Sequence, residues 1–158
     1  MKNKIAPMET IVSLDIEPVH YTTEAVNCFC TDCRLAELYT SFFEVMGYEN
    51  PDRIFVPGGA KKLASPANEG ERQSTLEDIL DLLKLHHCRC VNLSVHAGCG
   101  KYGKKFETEE EEAAFYQQEL FKARDVLQKF LEKNNYETEV HSYYCDWKGM
   151  HEVKGPAL

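Results

Sequence analysis

The chain has 158 residues, of which 43% are hydrophobic, so it can bury a core of its own and does not have the composition of a disordered segment. Its net charge of −8 argues against nucleic acid, whose phosphates need clustered Lys and Arg. No apolar run approaches the ~20 residues that span a bilayer, and the basic start Met1-Lys2-Asn3-Lys4 leads to no long apolar stretch, so no signal peptide is read and a cytoplasmic protein is the default expectation.

Seven cysteines in such a setting point to metal binding or thiol chemistry before disulfides. Residues 1–23 read as an N-terminal extension and 24–158 as a single zinc-binding α/β domain. Residues 24–30 (EAVNCFC) are expected to form a short strand. A helix is expected over 32–46, where Leu35, Leu38, Tyr39, Phe42, Phe43 and Met46 fall at helical spacing before Gly47. Arg53–Val56 reads as a strand ending at the turn signal Pro57-Gly58-Gly59. Residues 64–73 read as a polar loop. Ser74 and Glu77 then form a capping-box pattern ahead of a helix carrying Leu76, Ile79, Leu80 and Leu83.

Cys90–Val95 is the next expected strand, stopping at His96-Ala97-Gly98-Cys99-Gly100. Thr108 and Glu111 make a second capping box, and a helix runs from there to about Lys133, its first turn rich in glutamate as the helix dipole favours. Thr138–Tyr144 is the last expected strand. Strands alternating with helices imply an α/β fold, a mostly parallel β-sheet of about four or five strands flanked by helices. Ligands of such sheets bind at the carboxyl ends of the strands.

Both cysteine motifs fall at such ends. Cys30, His96 and Cys99 offer two thiolates and an imidazole, a donor set that suits zinc and leaves a fourth position for water. A water held there ionises near pH ~7. Asp32 is placed to accept a hydrogen bond from that water or to bind the metal itself, and Arg34 to hold Asp32 in a bidentate pair. Each residue has a plainer reading. Asp32 suits a helix N-cap, Arg34 a surface charge, the cysteines small buried hydrophobes, and His96 a satisfied histidine.

Two rivals use Cys33. Cys30-x-x-Cys33 at a strand-to-helix junction is the pattern of a thiol oxidoreductase, and Cys30, Cys33, His96 and Cys99 together would make a closed structural zinc site. Cys28 shares a strand face with Cys30 and is expected to pack beneath the metal. Cys88, Cys90 and Cys145 have no spacing partner, and His86-His87 reads as a frayed helix end. Lys61, Lys62, Lys101, Lys104 and Lys105 flank the mouth, as solvated loop charge or as attraction for an anion, and Tyr102 is a candidate cleft lining.

The combination C-x-D-x-R after a first strand (Cys30, Asp32, Arg34) and H-x-x-C-G after a later one (His96, Cys99, Gly100) resembles the β-class carbonic anhydrases, as a small, divergent member. The stretches TLEDILDLLKLHHCRCVNLSVHAGCGKYG and HSYYCDWKGMHEV are similar to that family's helix–strand–turn and closing strand. The resemblance implies zinc on Cys30, His96 and Cys99, an Asp32–Arg34 catalytic dyad, reversible hydration of carbon dioxide to bicarbonate, and a homodimer or higher homo-oligomer. Relatives acting on carbonyl sulfide or carbon disulfide, or only binding zinc, remain open. The chain departs from the family pattern at Val56–Lys61, at Cys33 between Asp32 and Arg34, and in a short N-terminal arm.

Overall fold

A computed structural model describes residues 6–155; the basic start at Met1–Lys4 lies outside the described residues. The elements are β1 (Ala25–Cys30), a 3-10 turn (Cys33–Leu35), α1 (Ala36–Met46), β2 (Asp52–Val56), α2 (Lys61–Ala64), α3 (Glu69–His86), β3 (Cys90–His96), α4 (Glu109–Lys133), β4 (Glu139–Cys145) and β5 (Met150–Glu152). They form one five-stranded sheet in the order β2-β1-β3-β4-β5. The first four strands are parallel and β5 is antiparallel to β4. The expected mostly parallel α/β sheet is therefore present. No helix among the described residues is long and apolar enough to cross a membrane.

The two faces of the sheet are covered unequally. Val26, Cys28, Val91, Leu93 and Val95 pack under α3 and α4 in the larger core. On the other face Phe29 is covered by Leu35 of the 3-10 turn and by Tyr39 and Phe43 of α1. Every residue of β3 is buried, as befits the central strand of a sheet covered on both sides. Cys28 is wholly buried in the larger core, where the alternation of the strand places it.

Two boundaries and two short elements differ from the sequence reading. The helix expected to be capped by Ser74 is capped six residues earlier, by Asn68, which accepts from the Glu71 N–H at 3.0 Å. The supposed loop over 64–73 thus holds the end of α2 and the first turn of α3. Residues 33–35 form a 3-10 turn before α1 begins, because the Asp32 side chain accepts the Arg34 N–H and tightens the entry. The unexpected elements are α2 and β5, both too short to read from periodicity. The Thr108 cap stands as read, accepting from Glu111 N–H at 3.1 Å.

His86 is not frayed. It is buried, its Nδ1 lies 2.7 Å from Asp52 Oδ2, and the Tyr21 ring stacks on it at 4.2 Å. Its neighbour His87 ends α3 in a left-handed cap (φ 56°). Residues 6–22 carry no helix or strand, and Met8, Ile11, Val12, Leu14, Ile16 and Val19 are exposed there.

Candidate metal centre

β1 ends at Cys30 and its sheet neighbour β3 ends at His96, so the two side chains leave adjacent strands at the same edge. Cys99 follows on the turn after β3. One donor atom from each of Cys30, His96 and Cys99 lies within 4.8 Å of the other two, and all three residues are buried. Zinc–sulfur bonds of about 2.3 Å in a tetrahedral shell put two sulfurs about 3.8 Å apart, so the cluster has the size of a metal site.

The surrounding backbone prepares these donors. Gly58 N–H donates to Cys30 Sγ at 3.3 Å. His96 Nδ1 sits 2.8 Å from the Ala97 carbonyl, which fixes the proton on Nδ1 and leaves the Nε2 lone pair turned into the cluster. That Nε2 is buried and has no hydrogen-bond partner. A buried acceptor left alone is costly, and a cation at the centre of the cluster satisfies it. The residues present therefore fit zinc.

The charge balance agrees. Hydrogen bonding from the Cys99 thiol, with help from the Gly58 and Asp32 amides, outweighs burial and lowers the Cys30 thiol. The same contact pushes the Cys99 thiol up. Zinc held there would take both sulfurs as thiolates. Burial pushes the His96 imidazole down, but the Cys30 sulfur, the Ala97 carbonyl and the Asp32 carboxylate together leave it raised.

Asp32 and Arg34 stand beside the cluster. Arg34 Nε donates to both Asp32 oxygens, at 2.9 and 3.1 Å, and Nη2 completes a forked pair. The guanidinium, first through those hydrogen bonds, lowers the Asp32 carboxyl to about 2. Asp32 Oδ2 lies 3.7 Å from His96 Nε2. The cap reading and the pairing reading of Asp32 are both true, since one carboxylate serves the backbone turn and the guanidinium together.

Cys33 is exposed and outside the cluster. The turn Pro57–Ala60, where the sequence departs from the family pattern, is seated across the strand ends by Ala60 N–H donating to the Ser94 carbonyl at 3.0 Å. The flanking lysines are largely committed elsewhere. Lys62 pairs with Glu71, Lys61 donates to the Ser65 carbonyl and lies over the Tyr102 ring, and Lys104 lies over Phe115. Tyr102 itself turns inward, edge-on to Phe115 and Tyr116. The sequence placed Gly58 in a turn and Trp147 in the closing stretch but gave neither a role at the site, which Gly58 takes through its backbone N–H and Trp147 through a ring beside Arg34.

No protein-family model matches the chain. Solved structures resemble it over most of their length. A carbonic anhydrase from Glaciozyma antarctica is 17% identical with a TM-score of 0.52, covering 87% of this chain and 85% of its own. The tetrameric β-carbonic anhydrases of Sordaria macrospora give 14% identity and a TM-score of 0.58, covering 87% and 84%. A β-carbonic anhydrase of Trichomonas vaginalis gives 11% and 0.52, covering 92% and 90%. The likeness is one of fold: the chain has the β-carbonic anhydrase architecture.

Proposed function

We propose that the protein is a zinc-dependent carbonic anhydrase that reversibly hydrates carbon dioxide to bicarbonate. The observation that carries this reading is the buried Cys30–His96–Cys99 cluster with a forked Asp32–Arg34 pair 3.7 Å from its imidazole. Cys30, His96 and Cys99 would hold zinc, which supplies hydroxide at neutral pH and polarises its surroundings. Gly58 N–H stabilises the Cys30 thiolate. The Ala97 carbonyl keeps the His96 ring in the tautomer that presents Nε2. Asp32, kept ionised by Arg34, would accept a hydrogen bond from a hydroxyl held at the fourth position and so orient it for carbon dioxide. Arg34 keeps Asp32 from rotating away.

Three ligands with Cys33 turned outward support an open site over the closed four-ligand alternative. A cytoplasmic homodimer or higher homo-oligomer belongs to the same reading. The exposed apolar residues between Met8 and Val19, together with Phe55 on the edge strand β2, support the assembly.

The test is stopped-flow hydration of carbon dioxide by the zinc-loaded protein. Asp32→Asn keeps the charge-free shape of the carboxylate and the zinc. It is expected to lower kcat by roughly 10²-fold or more, the scale of a lost proton-handling group. An unchanged rate in Asp32→Asn, at full zinc content, removes Asp32 from the mechanism.

A further inference from the structure

Trp147 is the chain's single tryptophan and is 60% exposed, at the tip of the hairpin between β4 and β5. Its ring makes two contacts that converge on the candidate centre. The Arg34 guanidinium carbon lies 4.9 Å from the ring centroid. Gly98, inside the His96–Cys99 turn, lies under the same ring: a Cβ there would come within 3.1 Å of the indole.

The hairpin that presents the ring is firmly tied down. Asp146 Oδ1 accepts from the N–H groups of Lys148 and Gly149, at 2.7 and 3.0 Å. Ala97 N–H donates to the Cys145 carbonyl at 2.8 Å, which joins the hairpin base to the residue after His96. Gly98 N–H donates to Glu112 Oε1 at 2.7 Å, anchoring the turn beneath the ring to α4. The indole therefore has a fixed floor and a fixed stem.

Arg34 needs such support. Its side chain is 54% exposed, and an ion pair at that exposure restrains a long side chain weakly. A guanidinium can fork onto a carboxylate with its edge while stacking on an aromatic with its face. Arg34 does both, Asp32 at the edge and Trp147 at the face.

We propose that Trp147 is a positioning residue. By stacking on Arg34 and covering Gly98 it holds the guanidinium fork on Asp32, and so holds the carboxylate beside His96. The catalytic consequence rests on the role given to Asp32 above; the clamp itself does not.

The experiment uses the zinc-loaded full chain as wild type, Trp147→Phe and Trp147→Ala, with two readouts. The first is the exchange with water of the Arg34 Nε–H, followed by nitrogen-edited NMR. The second is kcat and KM for carbon dioxide hydration at measured zinc content. Trp147→Ala is expected to speed Arg34 Nε–H exchange severalfold and to lower kcat roughly two- to five-fold, the scale of one exposed cation–π contact, with KM and zinc unchanged. Trp147→Phe keeps a ring face and should restore both toward wild type. Equal exchange rates in wild type and Trp147→Ala overturn the clamp. Faster exchange with unchanged kcat overturns its catalytic role. If the wild type does not hydrate carbon dioxide, the proposed function fails, and the exchange rates still decide whether Trp147 positions Arg34.

Discussion

Asp32 shows how much one side chain can be asked to do. Its carboxylate closes the 3-10 turn by accepting the Arg34 N–H and pairs with the Arg34 guanidinium, while facing His96 Nε2. Cys33 separates the two and points outward, because the turn that brings Arg34 back to Asp32 throws the intervening side chain into solvent. The lowered carboxyl, near 2, has a definite pH consequence. A group depressed on folding stabilises the folded state above its ordinary range, and that contribution fades as pH falls through the depressed value. Thermal unfolding of wild type and Asp32→Asn should therefore differ by a constant amount above about pH 5 and converge toward pH 2. A gap that closes already at neutral pH would show that Arg34 does not hold the carboxylate ionised. Asp32 stays charged well below neutral pH, so the acid limb of any activity profile belongs to the nucleophile.

Among the elements, the turn from Pro57 to Ala60 is the one on which the centre most depends. It donates Gly58 N–H to Cys30 and is pinned by Ala60 N–H to the Ser94 carbonyl. Gly59 lies between them at φ 54°, and a Cβ there would come within 2.5 Å of the Ser94 carbonyl oxygen and 2.9 Å of Cys30 N. Backbone on both sides leaves no room to yield. Gly59→Ala is expected to cost at least about 2 kcal/mol by denaturant unfolding and to weaken zinc binding, because the turn must lift off Cys30. Gly100→Ala is the matched control: nothing lies within 4 Å of its Cβ position, so a change within about 0.5 kcal/mol is expected. Equal stability of the two variants would contradict the close approach. Elements were readable from the sequence where a long apolar period existed, as in α4 and β3. They were misread where a local side chain moved the boundary, as Asn68 did for α3, or where three residues of β5 carry no period at all.

For the whole molecule, alternation of strands and helices was enough to expect a mostly parallel sheet with motifs at its carboxyl edge, because β1 and β3 had to be neighbours for Cys30 and His96 to share a site. Cys30, His96, Cys99, Asp32 and Arg34 could be put forward from the sequence, since each offers side-chain chemistry, and the fold brings them together. Gly58 and Trp147 could not, because one acts through its backbone and the other through a hairpin that only the folded chain brings back. His86 was hidden for the same reason: its partners, Asp52 and Tyr21, come from distant segments. A single zinc on two sulfurs and one imidazole, with the fourth position open, is to be measured by X-ray absorption of the zinc-loaded wild type and Cys33→Ser. The expected result is one zinc per chain in both proteins, with two sulfurs at about 2.3 Å and two lighter nitrogen or oxygen neighbours at about 2.0–2.2 Å. A third sulfur in the wild type that disappears in Cys33→Ser, or no bound zinc at all, would contradict it.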